Sequence, residues 1–281
     1  MRRAAVVIAV LGMCVGSWGQ SKPATQTAPA GQAAVPQGKR PPAAKTQPEF
    51  DAYKAAIALT DAAALDKAAG DFATKFPDSE LKVVLYKLAM QKYQGANNAD
   101  KMMEMAQKAL SFDPDDPEAL VAVARVQAET THETDLDKDQ KLAEAKKDAE
   151  RALETVNTDV PTAGYPPDKI DQFKRYIQSE AYAVLGTLGS NTKDWPTAET
   201  NLRKSIDVFP EQVDSVAVLR LAVALDMQNK IPDALKYANQ AVDLTKDRPD
   251  SPAGKAARAE QDRLTKLNSG TAPGGAAPPK N

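Results

Sequence analysis

The sequence predicts an all-α fold of antiparallel helix pairs. Three observations carry this. Aromatic residues make up only 5% of the chain while hydrophobic residues reach 42%, much of that alanine, a mix that suits close helix crossings better than a β sandwich. Apolar residues recur at i, i+3 and i+4 in segments of about 13 to 20 residues. Prolines punctuate those segments instead of interrupting them: Pro77, Pro114, Pro117, Pro210 and Pro249 fall at segment ends. Pro196 and Pro232 fall in a first turn, where the missing N–H has no intrahelical partner to lose. Helices are predicted near 48–59, 62–76, 80–94, 99–112, 117–130, 139–156, 168–190, 195–208, 214–228, 232–245 and 252–267, and no strand is predicted.

The ends read differently. Arg2 and Arg3 precede an apolar run from Ala4 to Gly16, and Ser17 and Gly19 place small residues before Gln20. This has the form of a secretory signal peptide over residues 1–19, with an apolar run too short to span a bilayer. The mature chain is then expected to be exported, periplasmic or extracellular, without a transmembrane helix. Leu11-Gly12-Met13-Cys14 has the outline of a lipoprotein box, but Met13 stands where a small residue belongs, so lipidation of Cys14 is the disfavoured alternative. Residues 20–47 hold Pro23, Pro29, Pro36, Pro41 and Pro42 amid Ala, Gln and Thr, with no apolar period. They are expected to form an unfolded, extended spacer. Lys22, Lys39, Arg40 and Lys45 could associate it with an anionic envelope surface. Residues 269–281 form a second Gly/Pro/Ala tail.

Within residues 48–268 the helix pairs repeat. The clearest unit carries Tyr182, Leu185 and Gly186 on its first helix and Trp195, Ala198, Leu202, Ser205 and Pro210 on and after its second. The next has Val218, Leu221, Ala222 and Leu225, then Ile231, Ala234, Ala238 and Ala241. Looser versions place Leu85, Leu88, Ala89 and Tyr93 before Ala106, Ala109 and Pro114, and Leu120, Val123 and Ala124 before Ala145, Ala149 and Ala152. Ala145 arrives late, which marks Glu129 to Asp137 as an inserted loop or helix extension. Residues 48–79 look like a degenerate first unit and 252–267 like a polar capping helix. Pro161, Gly164, Pro166 and Pro167 break the stack near 155–168. That break is either a hinge or a loop beneath a long helix 168–190, and the continuous array is the favoured reading.

These residues resemble the tetratricopeptide repeat, in period and in the placing of small residues at helix crossings. The resemblance implies a right-handed α-solenoid of about five helix pairs with a C-terminal capping helix. It also implies a concave groove, lined by the first helix of each pair, that binds a peptide or a partner protein. Groove-facing positions by this resemblance are Lys87, Gln91, Val121, Arg125, Glu180, Ala183, Thr187, Leu219 and Val223. They lack the Lys/Asn set with which some members clamp a terminal carboxylate.

The chemical candidates are sparse. His132 is the single imidazole and Cys14 the single thiol, which leaves no Cys–His nucleophile or His/Cys zinc site of the usual kind. Asp135, Asp137 and Asp139 alternate like the first oxygens of a calcium loop, but the required Gly and Glu are replaced by Gln140 and Lys146. That stretch therefore reads as an acidic loop in which Asp139 caps the following helix. Met102, Met103 and Met105 read as gap-filling core residues, and Trp195 as packing between helices. No Gly-rich phosphate loop is present, and a net charge of −2 supplies no basic surface for nucleic acid. No catalytic residue, cofactor or metal is expected. The expected function is a non-catalytic scaffold or adaptor of the bacterial cell envelope. The alternatives are a structural part of an outer-membrane or secretion assembly, and an enzyme with its site in the 129–140 insertion.

Overall fold

The computed structural model describes residues 38–162 and 164–270. The predicted signal peptide, including Cys14, most of the spacer and all but the start of the C-terminal tail lie outside them. The fold is all-α: eleven helices and one 3-10 turn, with no strand among the described residues. None of the helices described is long and apolar enough to cross a membrane. Contacts divide the chain into two compact units, with described residues 38–119, 154–162 and 164–174 in unit 1 and 120–153 and 175–270 in unit 2.

Unit 1 contains α1 (Gln47–Ile57), α2 (Ala62–Lys75), α3 (Leu81–Gly95), α4 (Ala99–Phe112) and the opening of α5 (Pro117–Thr130). All but α3 start at a capping side chain that accepts from an otherwise orphan N–H. Thr46 accepts from Glu49 N at 3.3 Å, Asp61 from Ala64 N at 2.8 Å, Asn98 from Lys101 N at 3.1 Å and Asp116 from Ala119 N at 2.9 Å. The helices pack through Leu65, Ala69, Phe72, Leu85, Ala89, Met90, Met105, Ala106 and Ala109, all buried. Met102 is buried too, while Met103 is half-buried. Glu49 is buried on α1 and accepts from Ser79 Oγ and from Lys45 N, which ties the first helix to the turn before α3.

Unit 2 contains the rest of α5, most of α6 (Lys138–Thr155) and of α7 (Pro167–Asn191), then α8 (Trp195–Val208), α9 (Ser215–Asp226), α10 (Ile231–Leu244) and α11 (Pro252–Asn268). One core joins Ala198 and Leu202 of α8, Leu221, Ala222 and Leu225 of α9, Ala234 and Ala238 of α10 and Leu264 of α11, with Trp195 packed against it. A second core joins Ala124 and Ala128 to Leu142, Ala145, Ala149, Val184 and Leu188. The Leu-Gly step is a close crossing: a Cβ on Gly186 would lie 2.5 Å from Leu202 Cγ, and one on Gly189 would lie 2.7 Å from the backbone N of Ala198.

The repeat is also written in the backbone. Helices α3, α7 and α9 end in one kind of turn, with Asn97 (φ 57), Lys193 (φ 59) and Asn229 (φ 60) in the left-handed region. The next residue in each case donates its N–H five residues back: Asn98 to Tyr93 O at 3.0 Å, Asp194 to Gly189 O at 2.8 Å and Lys230 to Leu225 O at 3.0 Å. Helix α5 ends otherwise, at Thr130, and the loop 131–137 that follows is the inserted stretch.

Two local readings change. Helix α6 begins at Lys138, so Asp139 sits in its first turn instead of capping it. Residues 38–46, which composition assigns to the end of the spacer, form no regular element and bend at 45–46, but they are seated. Lys39 donates its N–H to Thr158 O at 2.8 Å, and Gly38 runs so close to the 160–162 segment that a Cβ would lie 2.6 Å from Val160 O.

Candidate partner-binding faces

In unit 2 the first helices of successive pairs are α5, α7 and α9, and polar side chains link them. Arg125 Nη1 on α5 lies 2.9 Å from Glu180 Oε2 on α7, with side chains 23% and 17% exposed. About two turns further along α7, Thr187 Oγ1 donates to Ala183 O at 2.8 Å and accepts from Arg220 Nη1 of α9 at 3.0 Å. Arg220 Nη1 also lies 3.8 Å from Glu129 Oε1 of α5. Asn191 Nδ2 at the end of α7 donates to Ala128 O at 2.8 Å. Burial alone would disfavour charge on Arg125, but the Glu180 carboxylate, helped by Tyr176, Glu129 and Asp214, raises the guanidinium pKa above its ordinary value.

Of the positions named from sequence, Arg125, Glu180, Ala183 and Thr187 come together in this row. Leu219 and Val223 lie half-buried on α9, and Val121 is buried in α5 at 6% exposure. Arg220, Glu129 and Asn191 were missed. Arg220 follows directly after Leu219: the resemblance points to positions on a helix and not to the neighbour whose long side chain reaches across.

Lys87 and Gln91 belong to unit 1. Lys87 Nζ lies 2.8 Å from Asp116 Oδ2 and 3.0 Å from Glu118 Oε2, and Gln91 Nε2 donates to Glu118 Oε1 at 2.6 Å. Burial would lower the Lys87 pKa, yet the two carboxylates outweigh it and hold the ammonium above its ordinary value. These residues floor a cavity of about 450 Å³ in unit 1. Val83, Val84, Leu88, Phe112, Tyr165 and Phe173 give it apolar walls, and Pro41 and Pro42 line it too. Phe112 is 45% exposed; it stacks on Tyr86 with ring centroids 5.9 Å apart, and Lys82 Nζ sits 4.1 Å above its ring. The rim is ionic: Lys39 Nζ lies 2.6 Å from both Asp113 carboxylate oxygens and 3.7 Å from Asp159, and Arg40 pairs with Glu80.

His132 is exposed in the inserted loop, where its N–H donates to Asp135 Oδ2 at 3.2 Å. Lys141 lies 2.9 Å from Asp137 and 3.7 Å from Asp135, so a cation already sits among the alternating acids. Among the described residues no group of three or more His, Cys, Asp or Glu side chains is placed to hold a metal ion. The chemistry these faces offer is hydrogen bonding, ion pairing and shallow apolar contact.

No protein-family model matches the sequence. No curated protein matches it. Among solved structures it is similar to the assembly chaperone of RpL4 (Acl4), at 12% identity and a TM-score of 0.39, over 79% of this chain and 99% of that one.

Proposed function

We propose that this chain is an exported, non-catalytic scaffold of the tetratricopeptide-repeat type that works in a bacterial cell envelope. It holds an extended peptide or a partner helix against its first helices. The observation that carries the reading is the polar row of unit 2: Arg125 and Glu180 fix each other across two first helices, and Thr187 and Arg220 extend the row to a third. Side chains held this way on rigid helices are ordered before a partner arrives, which lowers the entropy cost of binding. Arg125 and Glu180 stay partly open to solvent, 23% and 17% exposed, which keeps them within reach of a partner. Export rests on the charged and apolar pattern of residues 1–19.

The test is crosslinking in intact cells followed by mass spectrometry, comparing wild type with the double variant Arg125→Ala, Glu180→Ala. Removing both charges avoids stranding one of them half-buried. The expected result is loss of a partner with the thermal unfolding curve little changed. Recovery of the same partners at the same yield would show the groove assignment to be wrong. The same spectra report the mature N-terminus: a start at Gln20 supports soluble export, while a lipid on Cys14 overturns it.

A further inference from the structure

The segment at the start of unit 1 is itself bound in the manner of a peptide ligand. Its backbone donates to Thr158 O, Lys39 makes a two-oxygen contact with Asp113 at 2.6 Å, and Arg40 engages Glu80. The Glu80 pKa lies below its ordinary value, chiefly through the Arg40 hydrogen bond. Pro41 and Pro42 then lie along the cavity. Proline pre-sets an extended, low-entropy conformation, and an aromatic-lined groove with flanking acids suits a proline-containing peptide that carries cations.

We propose that the cavity of unit 1 is a recognition site for an extended basic–proline peptide of a partner protein, and that residues 38–42 are an internal copy of that ligand which the partner displaces. Three features favour a partner peptide as the occupant. The cavity of about 450 Å³ beside Pro41 and Pro42 leaves room for apolar side chains that the internal copy does not supply. The acidic groups Glu80, Asp113 and Asp159 stand along its rim. The internal copy is held by exposed pairs, with Lys39 39% and Arg40 68% exposed, and such pairs are weak and salt-sensitive. Tethering rather than affinity keeps the copy in place, so its competition is that of a high local concentration. The proposal rests on the protein-binding reading above but concerns a different unit and a different set of residues.

The experiment uses the full chain and a fluorescent synthetic peptide with the sequence of residues 38–45, followed by fluorescence anisotropy at low and high salt. Lys39→Ala with Arg40→Ala unseats the internal copy electrostatically, and Gly38→Val unseats it sterically against Val160 and Thr162. Both variants are expected to bind the peptide at least tenfold more tightly than wild type. Adding Asp113→Asn and Glu80→Gln to the first variant, or replacing the peptide's Lys and Arg by Ala, is expected to abolish the gain. Circular dichroism at 222 nm confirms that each variant remains helical. If the unseated variants bind no more tightly than wild type, the proposal is overturned. If they dimerise without peptide, the occupant is a second copy of this chain and the partner assignment is overturned. Because the readout is unit 1 with a defined peptide, its failure is separate from failure of the Arg125–Glu180 test in cells.

Discussion

Lys87 Nζ stands 2.8 Å from Asp116 and 3.0 Å from Glu118, one ammonium holding two carboxylates at the start of α5. The side chains are only 17%, 5% and 10% exposed, so water contributes little to their charge balance. Removing the ammonium leaves two carboxylates with little solvent and no counterion. Lys87→Met is therefore expected to cost roughly 3–5 kcal/mol in urea unfolding. Adding Asp116→Asn and Glu118→Gln is expected to restore most of it, since Asn still caps the helix. The pH dependence has a definite sign. The folded pKa of Lys87 is raised, so its contribution is complete below the unfolded value of about 10.4 and drains away as pH rises above that. Wild type should lose more stability than the triple variant between about pH 10 and 11.5. Equal losses would remove Lys87 as the cause.

The crossing of α7 on α8 makes a second prediction. The Cβ of Gly189→Ala would meet backbone, 2.7 Å from Ala198 N and 3.0 Å from its Cα. That of Gly186→Ala would meet the fully buried Leu202 side chain at 2.5 Å. Both should destabilise by about 1–3 kcal/mol, with Gly189→Ala the worse because backbone yields less than a side chain. Gly70, inside α2, has nothing within 4 Å of its virtual Cβ, so Gly70→Ala should stabilise by about 0.5–1 kcal/mol. Denaturant midpoints of the three variants check the order. A neutral Gly189→Ala would mean that the helices do not approach as closely as described.

The left-handed turns supply a third. Asparagine tolerates that conformation at positions 97 and 229, but lysine at 193 (φ 59) does so at a cost of about 1 kcal/mol. Lys193→Gly should raise stability by up to about 1 kcal/mol, while Asn97→Gly should change it less. If both substitutions gained equally, the residue type at the turn would not be what matters.

Helix positions were legible because the apolar period, the first-turn prolines and the Asp, Asn, Thr and Ser caps agree. The predicted 99–112, 117–130 and 195–208 coincide with α4, α5 and α8. The crossing at Gly186 is also legible, since a glycine between Leu185 and Thr187 inside a long helix has few other uses. The site was only half legible. The resemblance to the repeat names a face, which is what places Arg125 and Glu180 on first helices. It does not say how far a side chain reaches, which is why Arg220 was missed and why the buried Val121 was included. The seating of residues 38–46 left no signal at all. Composition reports that a segment lacks a core of its own, and says nothing of whether it lies on another segment's surface.

The last helix carries the fourth prediction. Glu260 of α11 is fully buried, and Arg263 one turn on grips it through two hydrogen bonds of 3.1 and 2.9 Å. The same guanidinium reaches Asp226 at the end of α9 at 2.5 Å. One cation thus neutralises the buried Glu260 and the half-buried Asp226 and pins α11 to α9. Arg263→Met should cost about 3–5 kcal/mol, because Glu260 is then left buried and unpaired. Adding both Glu260→Leu and Asp226→Asn should recover much of that loss, since neither acid is then left without its cation. The effect should be local first: in Arg263→Met the amides of α11 are expected to exchange hydrogen well before those of α8 and α9. Uniform loss of protection throughout unit 2 would mean that α11 and its neighbours unfold as one piece, and that Arg263 stabilises the whole unit instead of fastening its last helix.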